Sequence, residues 1–500
     1  MVPLDQPIFK EHKKSSCGGI PVLLELWHKL DLSLLLTRCG IFKTRGLPTW
    51  KLAFAMIVSM VSNCSSDSKR VEDWNKDTLL QTVLGVARIS QSAMSRFLNG
   101  FSKWQEFTRL RITRLQEEPE LRLEEGDVVA LDDTLLVHLF ARLMPFVAKV
   151  FDHALKTFVF AQNLLVLHGV KQNGLEYPLF YAFWKKADSK FDLALQALSK
   201  LRSLLPNEKM RLWVSMDRWF FKKPFLAELE KLNFDWVTKA KRNTVFYYLV
   251  PGPTPFARPR YVRIAAQDLI RKYYHHLLPA SSSSGVMSFA LNGLYLKVSE
   301  PVPGAKGRKK NRSAYKAVGA VLAMRLTEDE KEHRKDSVSS DTDPAASYKG
   351  AYLLVSNRAD APKEMVGAYQ KRWRVEVLFR NAKQELGLGK CHSCNENHIE
   401  AHVALVFTAE TLLRWAEWAY NEKMGPEERC THGKMSSLFF RTQCTVDVQS
   451  PHHGKPDIVQ VYFDTSVRKF KELFSLFWPK CIQLKWYVPQ SNWNLLPLSG

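Results

Sequence analysis

Apolar residues recur at helical spacing through residues 23–36 and 47–61, and β-branched runs are few between residues 20 and 118, so this stretch reads as helices. Within it, residues 78–86 and 90–97 have the form of a helix–turn–helix, with Gly85 near the turn and Ser90 placed as an N-cap. Ser92, Ser95 and Arg96 on the second helix could face phosphate or base edges, although any two short helices of a bundle share this pattern. The pattern changes at Asp127. Val128-Val129-Ala130-Leu131 reads as a short buried strand that runs into Asp132-Asp133-Thr134. Residues 163–169 and 177–184 are two further strands around Lys171-Gln172-Asn173-Gly174, and Asn-Gly between apolar runs signals a hairpin. A helix over 191–205, a strand over 211–216 ending on Asp217, a helix over 219–232 and a strand over 234–238 follow. This order predicts a mixed sheet with helices packed on it.

Residues 243–350 break the rhythm with a Pro-rich stretch at 251–255, a serine run at 281–284, a basic cluster at 306–312 that includes Lys309 and Lys310, and a charged Ser/Asp-rich segment at 328–343. Strand-like pieces at 289–298 and 317–325 make this a mostly β insertion with loops. A strand at 351–355 resumes the sheet, a long helix covers 362–386, and another covers 398–420. The tail from Gly425 is basic and aromatic, with Trp478, Trp486 and Trp493. The expected organisation is a helical N-terminal DNA-binding domain over 1–120, a core in two parts over 127–242 and 351–424, the insertion between them, and a basic C-terminal region over 425–500.

Five hundred residues exceed what one hydrophobic core of about 250–300 residues supports, so several units are expected. The 46% hydrophobic and 24% charged fractions exclude global disorder. Lys plus Arg number 72 against 50 for Asp plus Glu, a net charge of +22 that attracts polyanions, most often nucleic acid. The plainer alternative is a basic protein kept soluble by its charge. No apolar run reaches the roughly 18 uninterrupted residues of a membrane span, and the first residues, MVPLDQPIFKEHKKSS, lack the apolar region of a signal peptide. Eight scattered cysteines form no disulfide framework. The expectation is an intracellular, cytoplasmic protein without a membrane partner.

Candidate chemistry begins with two aspartates at strand ends, Asp132 and Asp217, since ligands and metals gather there in such sheets. Either alone could be a turn former or a helix N-cap. On the helix over 362–386, Tyr369, Arg372, Glu376 and Lys383 stand at about 0°, 300°, 340° and 320°, an arc of about 60°. The apolar face of Ala368, Val375, Phe379, Ala382 and Leu386 lies beside that arc, and Arg374 and Glu385 fall on the far, solvent side. A plain i,i+4 salt bridge between Arg372 and Glu376 is the alternative.

The spacing from Tyr369 through Arg372 and Glu376 to Lys383, with Trp373 and Leu386-Gly387-Leu388, resembles the Tyr-Arg-Glu-Lys signature of DDE transposases of the bacterial insertion-sequence-four group. Met216-Asp217-Arg218-Trp219-Phe220 is similar to that family's second-Asp motif and Leu131-Asp132-Asp133-Thr134 to its first. The resemblance spans roughly 127–420. It implies a ribonuclease H-like α/β core interrupted by a β-rich insertion between the second Asp and the Glu. Three carboxylates suit two Mg²⁺ ions, with Mn²⁺ as a substitute, which activate a nucleophile and stabilise a leaving 3′ oxygen. Asp132, Asp217 and Glu376 are then the catalytic metal ligands, and Arg372, Lys383 and Tyr369 bind DNA beside the scissile phosphate, with Lys309 and Lys310 as further DNA contacts. Successive strand residues point to opposite faces, so one of Asp132 and Asp133 faces the metals; the family's Asp-x-Thr favours Asp132, and a strand ending one residue earlier leaves Asp133 open.

The resemblance further implies double-stranded DNA as partner, both transposon-end inverted repeats and target, a homodimer in a synaptic complex, and a prokaryotic host. A catalytically silent DNA-binding descendant and a nuclease of the same fold without strand transfer are the other readings. Cys391-His392-Ser393-Cys394 with His398 and His402 offers the ligand types of a zinc site, but the gap between the pairs is far below the usual ~12 residues.

Overall fold

The structure is a computed structural model that describes the chain apart from residues 1–8, 16, 64–73, 140, 255, 280–284, 302–310, 326–349, 438–440, 442–443, 451–456, 464–484 and 487–500. Its first element is a strand, β1 (Phe9–Ser15), followed by α1 (Ile20–Lys29), α2 (Leu32–Arg38), α3 (Thr49–Asn63), α4 (Thr78–Leu84), α5 (Gln91–Asn99) and α6 (Trp104–Glu117). The α4–α5 pair is built as its sequence reads: Gly85 closes α4 in the left-handed conformation at φ 57°, and the Ser90 hydroxyl caps α5 by accepting from Ala93 N–H. Arg96 and Ser92 are exposed, while Ser95 accepts from Asn99.

The sheet follows: β2 (Val128–Val137), β3 (Val147–Asp152), β4 (Thr157–Val170), β5 (Glu176–Trp184), α7 (Lys190–Leu204), β6 (Leu212–Met216), α8 (Lys223–Lys231) and β7 (Phe234–Lys239). Next come β8 (Val245–Val250), β9 (Arg260–Ala265), α9 (Ala266–Tyr273), β10 (Leu278–Pro279), β11 (Val286–Pro301), β12 (Asn311–Arg325) and β13 (Tyr352–Ser356). The chain returns to helix in α10 (Pro362–Lys371), α11 (Trp373–Glu385), α12 (Glu396–Lys423) and α13 (His432–Met435), and ends in β14 (Cys444–Ser450), β15 (Asp457–Phe463) and β16 (Lys485–Trp486).

One mixed sheet of 12 strands dominates, in the order β3-β4-β2-β6-β7-β13-β12-β11-β8-β9, with β5 on the same edge of β4 as β3 and β10 on β11. β2, β6 and β7 run parallel and β4 runs antiparallel to β2. The β11–β12 hairpin continues the same sheet through β13, because β12 pairs with β13 and β13 with β7. The β4–β5 connection is five residues long, and Gly174 takes the left-handed conformation there at φ 87°, which its missing Cβ permits.

Buried residues on one side of the sheet join the helices from Trp27 through Phe54, Trp104 and Leu412 to Leu131 and Val214 in one core. The other face, from Val128, Trp213, Val237 and Leu354, is covered by Met365, Val366 and Tyr369 of α10. Helix α12 is buried along most of its length and packs on α3, α5, α6 and β5. Three expectations are corrected. The N-terminal region is not all helical, because β1 pairs antiparallel with β14 in a second, four-stranded sheet. The helix over 362–386 is two helices joined at Arg372, where i,i−3 bonds (Arg372 N–H to Tyr369 O and Val375 N–H to Arg372 O) tighten the chain. The helix expected over 219–232 is a 3₁₀ turn, Arg218–Phe220, followed by α8, because Pro224 favours a fresh helix start.

Candidate active site

The parallel pairing of β2 with β6 and of β6 with β7 stops on one rung. Leu131 lies opposite Met216, and Met216 opposite Thr238, so the next residues, Asp132, Asp217 and Lys239, stand side by side. Alternation settles their direction: Asp132 shares its face with Val128, Asp217 with Trp213, and Lys239 with Val237, all packed beneath α10. Tyr369 and Arg372 come from the end of that helix, and Glu376 and Lys383 from α11.

Arg372 ties the site together. Its Nη1 donates to Asp132 Oδ2 at 3.0 Å and its Nη2 to Glu376 Oε1 at 2.6 Å. Burial pushes the Asp132 carboxyl up to about 7 against the opposing pull of Arg372, so its negative charge is incompletely compensated. Asp133 projects from the opposite face and pairs with Lys190 Nζ at 2.7 Å, at the start of α7. β2 continues to Val137, so the strand does not end early and the alternation holds through both aspartates. Asp217 begins the Arg218–Phe220 turn in extended conformation, and its carboxylate forms no hydrogen bond or ion pair among the described residues. The Tyr369 hydroxyl is buried without a hydrogen-bond partner among the described residues, and burial holds its pKa well above the ordinary phenol value. Lys383 Nζ donates to Thr134 Oγ1 at 2.7 Å and to the Leu135 carbonyl at 3.0 Å, which fixes α11 to the strand two residues past Asp132.

Lys239 is a site residue that the sequence reading missed. Its Nζ lies 3.9 Å from the Tyr352 ring centroid and 5.3 Å from that of Tyr369, and burial lowers its pKa. The available signal was its place at the end of the third parallel strand, level with both aspartates. Lys309 and Lys310 lie outside the described residues.

The oxygen-only donor set of Asp132, Asp217 and Glu376 has the chemistry of a hard divalent cation site. Its geometry differs from the expected convergence. Among the described residues no three His, Cys, Asp or Glu side chains are grouped so as to hold a metal ion, and the Arg372 guanidinium lies between two of the three acids. Its presence has an electrostatic reason, since it answers two carboxylates at once, Glu376 one turn along the helix and Asp132 on the strand face beneath it. The same absence covers the zinc alternative. His402 is buried with Nε2 3.2 Å from the Gly387 carbonyl, and His398 Nδ1 lies 3.1 Å from Asn99 Oδ1.

Arg374 and Glu385 do not lie on a free solvent side. Arg374 forms a bidentate pair with buried Glu176 at 2.5 and 2.6 Å, and Glu385 pairs with Arg441 at 2.6 Å. Glu176 also meets Arg414, which continues to Glu410 and Glu417, and Glu410 meets His432.

Residues 186–412 match the family model described as "Transposase DDE domain". The match contains Asp217, Tyr369, Arg372, Glu376 and Lys383 and begins after Asp132. A cryo-EM structure of a piggyBac transposase synaptic complex with hairpin DNA aligns with a TM-score of 0.36 and 10% identity, covering 85% of this chain and 78% of that one. No curated protein sequence matches the chain significantly. Among the described residues no helix is long and apolar enough to cross a membrane.

Proposed function

We propose that this DDE-type transposase cleaves DNA at transposon ends and joins the freed 3′-hydroxyl to target DNA, using Asp132, Asp217 and Glu376 as the ligands of two Mg²⁺ ions. The observation that carries the reading is the shared rung of Asp132 and Asp217 with Glu376 brought to it through Arg372. The strand order β5-β4-β2-β6-β7, with the second strand antiparallel, supports a ribonuclease H-like core, and the Tyr369–Lys383 signature supports the insertion-sequence-four group. Bound divalent ions would supply an activated oxygen nucleophile and a stabilised leaving oxygen.

The chain's own groups do the rest. Arg372, which holds Asp132 and Glu376 in this structure, would present its two-pronged guanidinium to a non-bridging phosphate oxygen. Lys383, on α11 and anchored to β2, holds the adjoining phosphate, and Lys239 adds a positive charge at the third strand end. The buried Tyr369 hydroxyl has an unused donor for a phosphate oxygen. The DNA partners are the inverted repeats and the target, brought together by two copies of the chain in a prokaryotic cytoplasm. The net charge of +22 suits that polyanionic substrate.

A supercoiled plasmid bearing labelled ends tests the reading with Mg²⁺ and with Mn²⁺. Cleavage followed by joined products is the expected result. Cleavage without joining identifies a nuclease, and binding without cleavage a silent descendant.

A further inference from the structure

The hairpin of β3 and β4 reverses the usual dress of an edge. Alternation buries Val159 and turns Lys149, Phe151, Phe158 and Phe160 to the other face. On that face Phe158 is 62% exposed and Phe151 41%, and Leu155 at the tip is 60% exposed. Phe151 and Phe158 are direct cross-strand partners with ring centroids 5.3 Å apart. Cations are interleaved with the rings: Lys149 Nζ lies 5.7 Å from the Phe158 centroid and the Arg142 guanidinium 5.4 Å from that of Phe160. Lys156 is exposed at the turn. The nearby acid, Asp152, is engaged by the Ala154 and Leu155 N–H groups of the turn. Soluble chains seldom leave such an apolar face uncovered without a partner.

We propose that this hairpin is a DNA-deforming ribbon, in which Arg142, Lys149 and Lys156 hold backbone phosphates while Phe151, Phe158 and Leu155 enter an opened base step. The inference rests on the proposed function above. Its position fits, because β3 and β2 flank the same strand β4, β2 carries Asp132, and the charge of Asp152 reaches Lys383. The chemistry favours DNA over a second copy of this chain. Three cations facing their own symmetry mates would repel, whereas phosphates complement them, and apolar wedges between base steps are a recurrent way to kink a duplex. A ribbon of two strands is also slim enough to enter a groove.

Fluorescence anisotropy with the full chain decides, using a fully paired duplex and the same duplex with a central mismatch. The wild-type chain should prefer the mismatch, because an already opened step costs less to enter. The F151S/F158S double variant, altered at exposed positions, should lose about ten-fold in affinity for the mismatched duplex, the scale of base–aromatic stacking, and little for the paired one. K149Q/K156Q should weaken both and lower the salt slope by about 2. A double variant that keeps the wild-type preference overturns the proposal. So does a variant whose sole change is its mass by light scattering, since the face then packs on a second copy. A wild-type chain that binds neither duplex removes the proposed function itself.

Discussion

Two arginines two residues apart on α11 and its junction, Arg372 and Arg374, serve two carboxylate clusters that differ in kind. Residues two apart on a helix do not face each other, so the same segment reaches both sides of its packing layer. Around Arg374 the charges are closed: Glu176, Arg414 and Glu410 are buried and each meets an opposite charge, and the buried His432 ring lies 3.0 Å from Glu410. Burial alone would raise Glu176, yet Arg414, His168 and Arg374 hold it far below the usual carboxylate range. Around Arg372 the charges are open: Asp132 stays above its ordinary value and Asp217 has no ion-pair partner among the described residues. The closed cluster joins the β4–β5 hairpin, α11, α12 and α13, and its work is structural. The open one keeps unspent negative charge at strand ends, the condition under which a cation binds.

The largest expected effect separates activity from stability. Asp217→Asn or Glu376→Gln should lower cleavage by about 10³-fold or more, since a lost ligand removes several kcal/mol of transition-state stabilisation. Glu376 is one-third exposed and Arg372 keeps Asp132 as a partner, so the stability cost of Glu376→Gln should be less than about 1 kcal/mol in urea unfolding. A large fall in the unfolding midpoint would make Glu376 part of a closed cluster after all. Glu410→Gln should do the reverse: it removes a buried charge partner of Arg414 and should cost about 3–5 kcal/mol. Unchanged stability in that variant would erase the contrast.

Asp132 and Asp133 sharpen it within one strand. Asp132→Asn should cost cleavage as fully as Asp217→Asn, whereas Asp133→Asn, which loses the Lys190 pair on the opposite face, should keep measurable activity. The reverse pattern in a plasmid assay would move the site by one residue.

Acid gives a smaller effect of opposite sign in the two clusters. Glu176 and Glu410 have folded pKa values below the unfolded value of about 4.3, so their stabilisation is present above that pH and is lost as pH falls through the lower folded values. Asp132 has a folded value of about 7, above its unfolded value, so the fold binds a proton there more readily and the site relaxes as pH falls from 7 toward 4. Urea midpoints measured from pH 7 down to pH 3 should therefore fall below about pH 4 in the wild-type chain. In Asp132→Asn, relative stability at pH 7 should rise against that at pH 5.

Local periodicity placed α4, α5 and α7, the strand leading into Asp132, the strand ending at Asp217, and the facing of Asp132 away from Asp133. Each depends on a chain's own repeat of 3.6 or 2 residues, and neighbours in sequence suffice to set it. The signature from Tyr369 to Lys383 came from a family resemblance, and its arc was drawn on one helix where the structure has two. Lys239 was not legible, because its place beside Asp217 is fixed by parallel register between β6 and β7. Arg374 was misjudged because a helical wheel shows a face without showing what packs there, and its partner Glu176 stands 198 residues away. Tertiary packing also decided the break at Arg372 and the β1–β14 pairing across the length of the chain. The sequence determined which groups each element carries and the face from which each projects; the register and packing of distant segments decided which charges meet, because a buried charge takes its partner from whatever the fold brings against it.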